Sequence, residues 1–130
     1  MKVLFVYPNQ GTELRVPLAI SILIAQLRKH GHEVKLFDST FYGDFKTDNE
    51  LRLDVKKTNL TDLVGKVEDV NPRESLDRCI SGFNPDFIMV SLVERNFNTA
   101  KTLLSGINVR ILAGGILPTI APEFLKSQDW

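Results

Sequence analysis

Residues 2–38 read KVLFVYPNQGTELRVPLAISILIAQLRKHGHEVKLFD, and this stretch decides the fold. Val3 to Val6 is a short apolar run, typical of a parallel strand that is covered on both faces. Val16 to Leu27 is apolar on nearly every side and predicts a buried helix, which Gly31 ends. Val34 to Phe37 predicts a second strand ending at Asp38. Because the return from helix to strand is short, the three elements predict a right-handed βαβ unit and a parallel sheet.

The same alternation continues beyond residue 70. Asn71 is a favourable N-cap residue and Pro72 fits the first position of a helix. An apolar face of this predicted helix follows at Leu76, Cys79, Ile80 and Phe83. Later segments predict a third strand at 87–90, a short amphipathic helix from Phe97 to Ile107, a fourth strand at 109–113 and a last helix from Pro122. We expect a fifth strand to begin after Trp130. The predicted fold class is therefore α/β: one domain over 1–130, with a three-layer, Rossmann-like (flavodoxin-like) parallel sheet, helices on both faces, and truncation before the fifth strand.

Residues 43–70 differ from the rest of the chain, because 12 of these 28 residues are charged. We interpret them as a partly ordered surface insertion without an assigned function. Residues 51–55 alternate between apolar and charged side chains, so a short edge strand and a solvated loop are both open there.

Composition excludes several classes of partner. The 16 basic and 16 acidic residues give a net charge of zero, so neither nucleic acid nor an anionic membrane is expected as a partner.

The longest apolar stretch falls short of the roughly 20 residues that a membrane span needs. The first residues do not have the pattern of a signal peptide, which predicts a cytoplasmic protein. Cys79, the one cysteine, is expected to pack in the core.

Three loops that follow predicted strands indicate a ligand site. They begin at Pro8, at Ser91 and at the glycine pair Gly114 and Gly115. In an open parallel sheet such loops meet at the rim formed by the carboxyl ends of the strands, where ligands bind. Two adjacent glycines there let the backbone approach a large flat ligand, because no Cβ intervenes.

Five segments, taken in the order in which they occur along the chain, together resemble one protein family. They are KVLFVYPN at 2–9, RVPLAI at 15–20, GHEVKLFD at 31–38, NPDFIMVS at 84–91 and AGGILPT at 113–119. Together they resemble the N-terminal cobalamin-binding domain of B12-dependent radical SAM enzymes. The resemblance covers all of the chain except the charged insertion.

The resemblance implies a domain that holds cobalamin and has neither a catalytic residue nor a metal ligand of its own. The whole protein would be a methyltransferase or a protein like the magnesium-protoporphyrin IX monomethyl ester oxidative cyclase. S-adenosylmethionine and a 4Fe-4S cluster would belong to a downstream radical SAM domain, the expected partner of this one. By the same resemblance, Gly114 and Gly115 admit the nucleotide tail and Ser91 offers it a hydroxyl. The implied cofactor contacts are Pro8, Asn9, Gln10, Ser91, Leu92, Val93, Glu94, Gly114, Gly115 and Thr119.

The resemblance also implies base-off cobalamin without a protein histidine on cobalt. The loop from Pro8 to Arg15 contains no histidine, and His30 and His32 are expected at the far end of the first helix. In this scheme Gly115→Val blocks the nucleotide tail, and the fold survives if Gly115 does not need a positive φ.

Two alternative functions stay open. One is the acceptor-binding N-terminal domain of a GT-B glycosyltransferase, which has a similar opening strand and helix. The other is a stand-alone corrinoid carrier module. A dinucleotide-binding domain is disfavoured, because the loop after the first strand lacks G-x-G-x-x-G.

Overall fold

Four parallel strands form a sheet in the computed structural model, which describes residues 1–9, 17–40, 42 and 70–128. The strands are β1 (Lys2–Tyr7), β2 (Glu33–Asp38), β3 (Phe87–Ser91) and β4 (Ile111–Gly114). The helices are α1 (Leu18–Lys29), α2 (Pro72–Phe83), α3 (Phe97–Leu104), α4 (Ile116–Ile120) and α5 (Pro122–Lys126), and a 3-10 turn at Glu94–Asn96 precedes α3. The strand order is 2-1-3-4, which confirms the predicted α/β class and agrees with the flavodoxin-like order.

Helices cover both faces of this sheet, so the fold has three layers. On one face α1 packs through Ile20 and Ile24 against Val3, Phe5 and Val34. On the other face a larger core collects alternate strand residues and the apolar sides of α2 and α3. Its buried members include Leu4, Val6, Leu76, Ile88, Val90, Phe97 and Leu103.

The start of α2 follows the sequence prediction. The Asn71 side chain accepts a hydrogen bond from the Arg73 amide at 2.9 Å, and Pro72 occupies the first turn. Leu76 and Phe83 are buried, and Cys79 packs against the same core, as expected.

The prediction that α1 is buried is wrong for its outer side. Ile20 and Ile24 are buried, whereas Leu18, Ile22 and Leu23 are exposed. The physical reason is that α1 rests on the sheet through one face. Over the residues that the structure describes, nothing is packed on its opposite side. No helix among these residues has the length and apolar character needed to cross a bilayer.

Two boundaries near the C-terminus differ from the prediction. The fourth strand was predicted at 109–113 but occupies Ile111–Gly114, so Gly114 is a strand residue. Residues 116–120 form α4, a short helix that the sequence analysis did not predict. The predicted insertion, apart from Val70, and most of the loop from Pro8 to Arg15 lie outside the described residues.

Candidate functional site

The carboxyl ends of the four strands lie side by side. In the strand register Tyr7 is opposite Asp38, Val6 is opposite Val90, and Ser91 is opposite Gly114. The loops that begin at Pro8, Ser91 and Gly114 therefore share one rim, as the sequence predicts. The order of connections reverses between β1 and β3, and this is the position where ligands bind in open α/β sheets.

A hydrogen-bond network joins the loop after β1 to the loop after β2. The buried Ser39 hydroxyl lies 2.9 Å from the Asn9 carbonyl and 3.2 Å from the Tyr7 carbonyl, and it accepts from the Asn9 amide at 3.0 Å. Asn9 Nδ2 donates to Thr40 Oγ1 at 3.1 Å. Thr40 in turn donates from its amide to Asp38 Oδ1 at 2.9 Å. Asn9 thus has its side-chain amide engaged within the protein and holds the two loops together.

The loop after β3 is closed by Asn96. Its Nδ2 donates to the Ser91 carbonyl at 3.1 Å, and its Oδ1 accepts from the Val93 amide at 2.9 Å. Val93 and Glu94 are exposed at the turn, whereas Leu92 is completely buried in the larger core. Val93 and Glu94 can therefore meet a ligand through their side chains, and Leu92 cannot.

The two adjacent glycines have different environments, and the structure corrects the expectation for one of them. At Gly114 a Cβ would meet nothing within 4 Å. Gly115 has φ +103°, and a Cβ there would lie 2.7 Å from the Leu92 carbonyl oxygen. The positive φ and the nearby Leu92 carbonyl oxygen thus require glycine at position 115. The fold was expected to survive Gly115→Val only if this residue did not need a positive φ, and that condition is not met.

Two other predicted cofactor contacts have side chains that are buried or already hydrogen-bonded within the protein. Pro8 is completely buried, and the Thr119 hydroxyl donates to the Gly115 carbonyl at 2.8 Å within α4. Gln10 lies outside the described residues. Of the predicted set, Ser91 and Gly114 have adjacent positions on the sheet.

Part of the sheet face that carries α1 is open. Phe5, Met89 and Leu112 follow one another across β1, β3 and β4, and they share this face because alternate residues of a strand point to the same side. The next positions on this face are Ser91 and Gly114. Phe5 is buried under α1 and Met89 is partly buried, but Leu112 is 55% exposed. We call Met89, Ser91, Leu112 and Gly114 the open strip.

The open strip combines an apolar floor, a hydroxyl and a position without a Cβ. Such a surface offers a ligand apolar contact, one hydroxyl that can donate or accept a hydrogen bond, and close approach to the backbone. In the described ranges, no three His, Cys, Asp or Glu side chains come together as metal ligands. His30 ends α1 and His32 precedes β2, so both lie at the opposite, amino-terminal rim.

Sequence reasoning missed the contribution of the loop after β2. Asp38, Ser39 and Thr40 support Asn9, and Asn96 supports Ser91. The signal was available in part, since Asp38-Ser39-Thr40 is a polar triplet directly after an apolar strand. Leu112 was treated only as a strand residue, because its exposure depends on where α1 lies.

A shallow depression occurs elsewhere, at the start of α2. It is lined by Val70, Asn71, Glu74 and Arg78. These side chains are away from the open strip in the fold, and nothing in them adds to the chemistry of the carboxyl rim.

The fold and rim define a Rossmann-like α/β protein with a candidate binding strip at the carboxyl ends of β3 and β4. No family model, curated protein or solved structure matches the chain.

Proposed function

We propose that this chain is a cobalamin-binding domain of a B12-dependent radical SAM enzyme, with the nucleotide tail of the cofactor lying along the open strip. The supporting observation is the strip itself: α1 covers Val3 and Phe5 of β1 and Val34 of β2, while Leu112 of β4 is exposed on the same face beside Gly114. Two of the five segments that carry the resemblance, 84–91 and 113–119, contain the strip residues Ser91 and Gly114.

The residues of the strip fit the chemistry of such a tail. Leu112 and Met89 provide apolar contact for a flat ring, whose burial is favourable at roughly 25 cal/mol per Å². Ser91 Oγ can donate to or accept from a polar atom at the ring's edge. Gly114 allows the ring or its sugar to approach the β4 backbone, because the space where its Cβ would stand is open.

Cobalamin would supply a cobalt centre able to carry a methyl group or to take part in related radical chemistry. The role of this chain is to bind and orient it. Val93 and Glu94 are exposed on the turn after β3, and in this proposal they would contact the rim of the corrin. The S-adenosylmethionine and iron–sulfur sites belong to a partner domain, since one cysteine is too few to hold a cluster. A cytoplasmic location is part of the proposal, because such a cluster needs a reducing compartment.

The test is a titration with hydroxocobalamin, followed by visible absorption and by equilibrium dialysis up to the millimolar range. Binding is expected to be weak, because one domain offers half of an enclosing site and the cost of association is unchanged. Gly114→Val should lower the affinity at least about tenfold, the equivalent of 1.4 kcal/mol, since it places a branched side chain on the strip.

Ala25→Val is the matched control, because it adds a branched side chain on the exposed side of α1. It should leave cofactor affinity unchanged. Circular dichroism should show both variants folded, since neither position has a positive φ. Absence of binding at millimolar cofactor, or equal affinity in folded Gly114→Val, would contradict the proposal.

A further inference from the structure

Asn96 spans the loop that follows β3 and bonds to both sides of it. Its Nδ2 donates to the Ser91 carbonyl at 3.1 Å, and its Oδ1 accepts from the Val93 amide at 2.9 Å. The Asn96 backbone amide also donates to the Val93 carbonyl at 3.1 Å. A carboxamide supplies a donor and an acceptor from one side chain, so a single residue fixes the backbone before and after Leu92.

Leu92, between these two points, is fixed from other directions. Its amide donates to the Gly114 carbonyl at 2.7 Å, and its carbonyl accepts from the Leu117 amide at 3.1 Å. Its side chain is completely buried in the larger core. β4, α4 and the core thus hold Leu92, whereas Asn96 holds the backbone groups on either side of it.

The backbone that Asn96 holds carries the one hydroxyl of the open strip. Ser91 is partly buried, and its Oγ lies 3.1 Å from the position that a Cβ on Gly115 would occupy. Among the described residues, hydrogen bonds engage the Ser91 backbone but leave this hydroxyl available to a ligand. A serine side chain has few staggered positions, so the place of Oγ follows from where the Ser91 backbone is held.

We propose that Asn96 is a positioning residue: by bonding the Ser91 carbonyl and the Val93 amide, it holds the Ser91 hydroxyl where the nucleotide tail of the cofactor meets it. This inference rests on the cobalamin-binding function proposed above. It adds that affinity depends on Asn96, which acts through the loop rather than through a contact of its own. Because the loop is already ordered in the free domain, binding avoids the entropy cost of ordering it.

Amide hydrogen exchange in the free domain tests the hold on the loop without any cofactor. In Asn96→Ala the Val93 amide should exchange at least about fivefold faster than in the parent, because it loses a hydrogen bond. In Asn96→Asp the protection should be kept, since a carboxylate oxygen can accept from the same amide. Asn98→Ala is the matched control, because Asn98 is exposed on the first turn of α3. It should leave exchange at Val93 unchanged.

A double-mutant cycle tests whether Asn96 acts through Ser91. Equilibrium dialysis with hydroxocobalamin should give a Kd at least about fivefold higher for Asn96→Ala than for the parent. In a Ser91→Ala background the same substitution should change Kd less than about twofold, because no hydroxyl is left to position. Asn98→Ala should have no effect in either background. If circular dichroism shows Asn96→Ala unfolded, Asn96→Asp replaces it, since it loses only the donor to the Ser91 carbonyl.

The outcomes separate this inference from the function on which it rests. A parent chain that does not bind hydroxocobalamin would remove the cobalamin-binding proposal and this inference together. A parent that binds, with equal losses for the Asn96 substitution in both Ser91 backgrounds, would overturn this inference alone. So would unchanged exchange of the Val93 amide in Asn96→Ala, because Asn96 would then not hold the loop.

Discussion

Gly114 and Gly115 are neighbours in the chain and have opposite requirements. Gly115 begins α4 with φ +103° and ψ −167°, a region of backbone space that is essentially restricted to glycine. Gly114 has an ordinary strand backbone and open space at the Cβ position. One glycine is therefore needed for folding, and the other is available for binding.

Alanine substitution separates these roles. Gly115→Ala should lower the free energy of unfolding by about 2 to 4 kcal/mol, because it combines backbone strain with a Cβ 2.7 Å from the Leu92 carbonyl oxygen. Gly114→Ala should change it by no more than about 0.5 kcal/mol. Urea denaturation measures both, and equal stability of the two variants would refute the assignment.

Ser39 is the residue that links the loops after β1 and β2. Ser39→Ala should cost about 1 to 2 kcal/mol of stability, since the Asn9 carbonyl loses a hydrogen bond at a site where Ser39 is 3% exposed. Ser81→Ala is the comparison, because the Ser81 hydroxyl bonds the Asp77 carbonyl on the exposed side of α2. That variant should be as stable as the parent. A similar loss in both would show that Ser39 has no special role.

At the scale of elements, α2 and α3 are joined by Arg73. Its guanidinium donates to the Leu103 carbonyl at 3.0 Å and also to the Ser105 carbonyl, both at the C-terminal end of α3. Asp77 on the next turn of α2 lies 3.1 Å from Nε and holds the side chain in place. The planar guanidinium thus has a forked arrangement: Nη1 donates to two carbonyls at the end of α3, and Nε donates to the Asp77 carboxylate.

Arg73→Lys should destabilise the protein by about 1 to 2 kcal/mol, because an ammonium cannot reproduce the forked geometry. Arg78→Lys provides the control, since Arg78 is exposed and bonds only the Ser75 hydroxyl among the described residues. Thermal unfolding followed by circular dichroism compares the two. No difference between them would mean that Arg73 contributes only its charge.

In the described part of the molecule, the two central strands of the sheet are paired on both sides. β1 pairs with both β2 and β3, and β3 pairs with both β1 and β4. The larger core lies on the α2 and α3 side of these strands. On the opposite face α1 is the one helix packed against the sheet among the described residues, and Leu112 of β4 is exposed there.

Native-state hydrogen exchange should reflect this arrangement. The amides of Val6 and Val90 should exchange most slowly, because they belong to the central strands and their side chains are almost completely buried. The amides of Ile111 and Ala113 should exchange faster, because β4 pairs only with β3 among the described strands. Slower exchange at Ala113 than at Val6 would contradict the order of stability.

The sequence by itself determined the αβ alternation, the parallel sheet, the capped start of α2 and the rim that three loops share. These features follow from local patterns: apolar runs, a proline after a capping asparagine, and turns between strands. The shared rim also marked the loops that begin at Ser91 and at the glycine pair, because loops that follow parallel strands meet at one edge of the sheet.

Only the tertiary structure decided which of these residues is accessible. Local pattern cannot distinguish Gly114 from Gly115, since the difference arises from the Leu92 backbone, more than 20 positions away in the chain. Nor can it show that α1 leaves Leu112 exposed, because a helix that is apolar all round does not specify which of its faces meets the sheet. Exposure at the rim depends on contacts between distant segments, and these are fixed only when the layers pack.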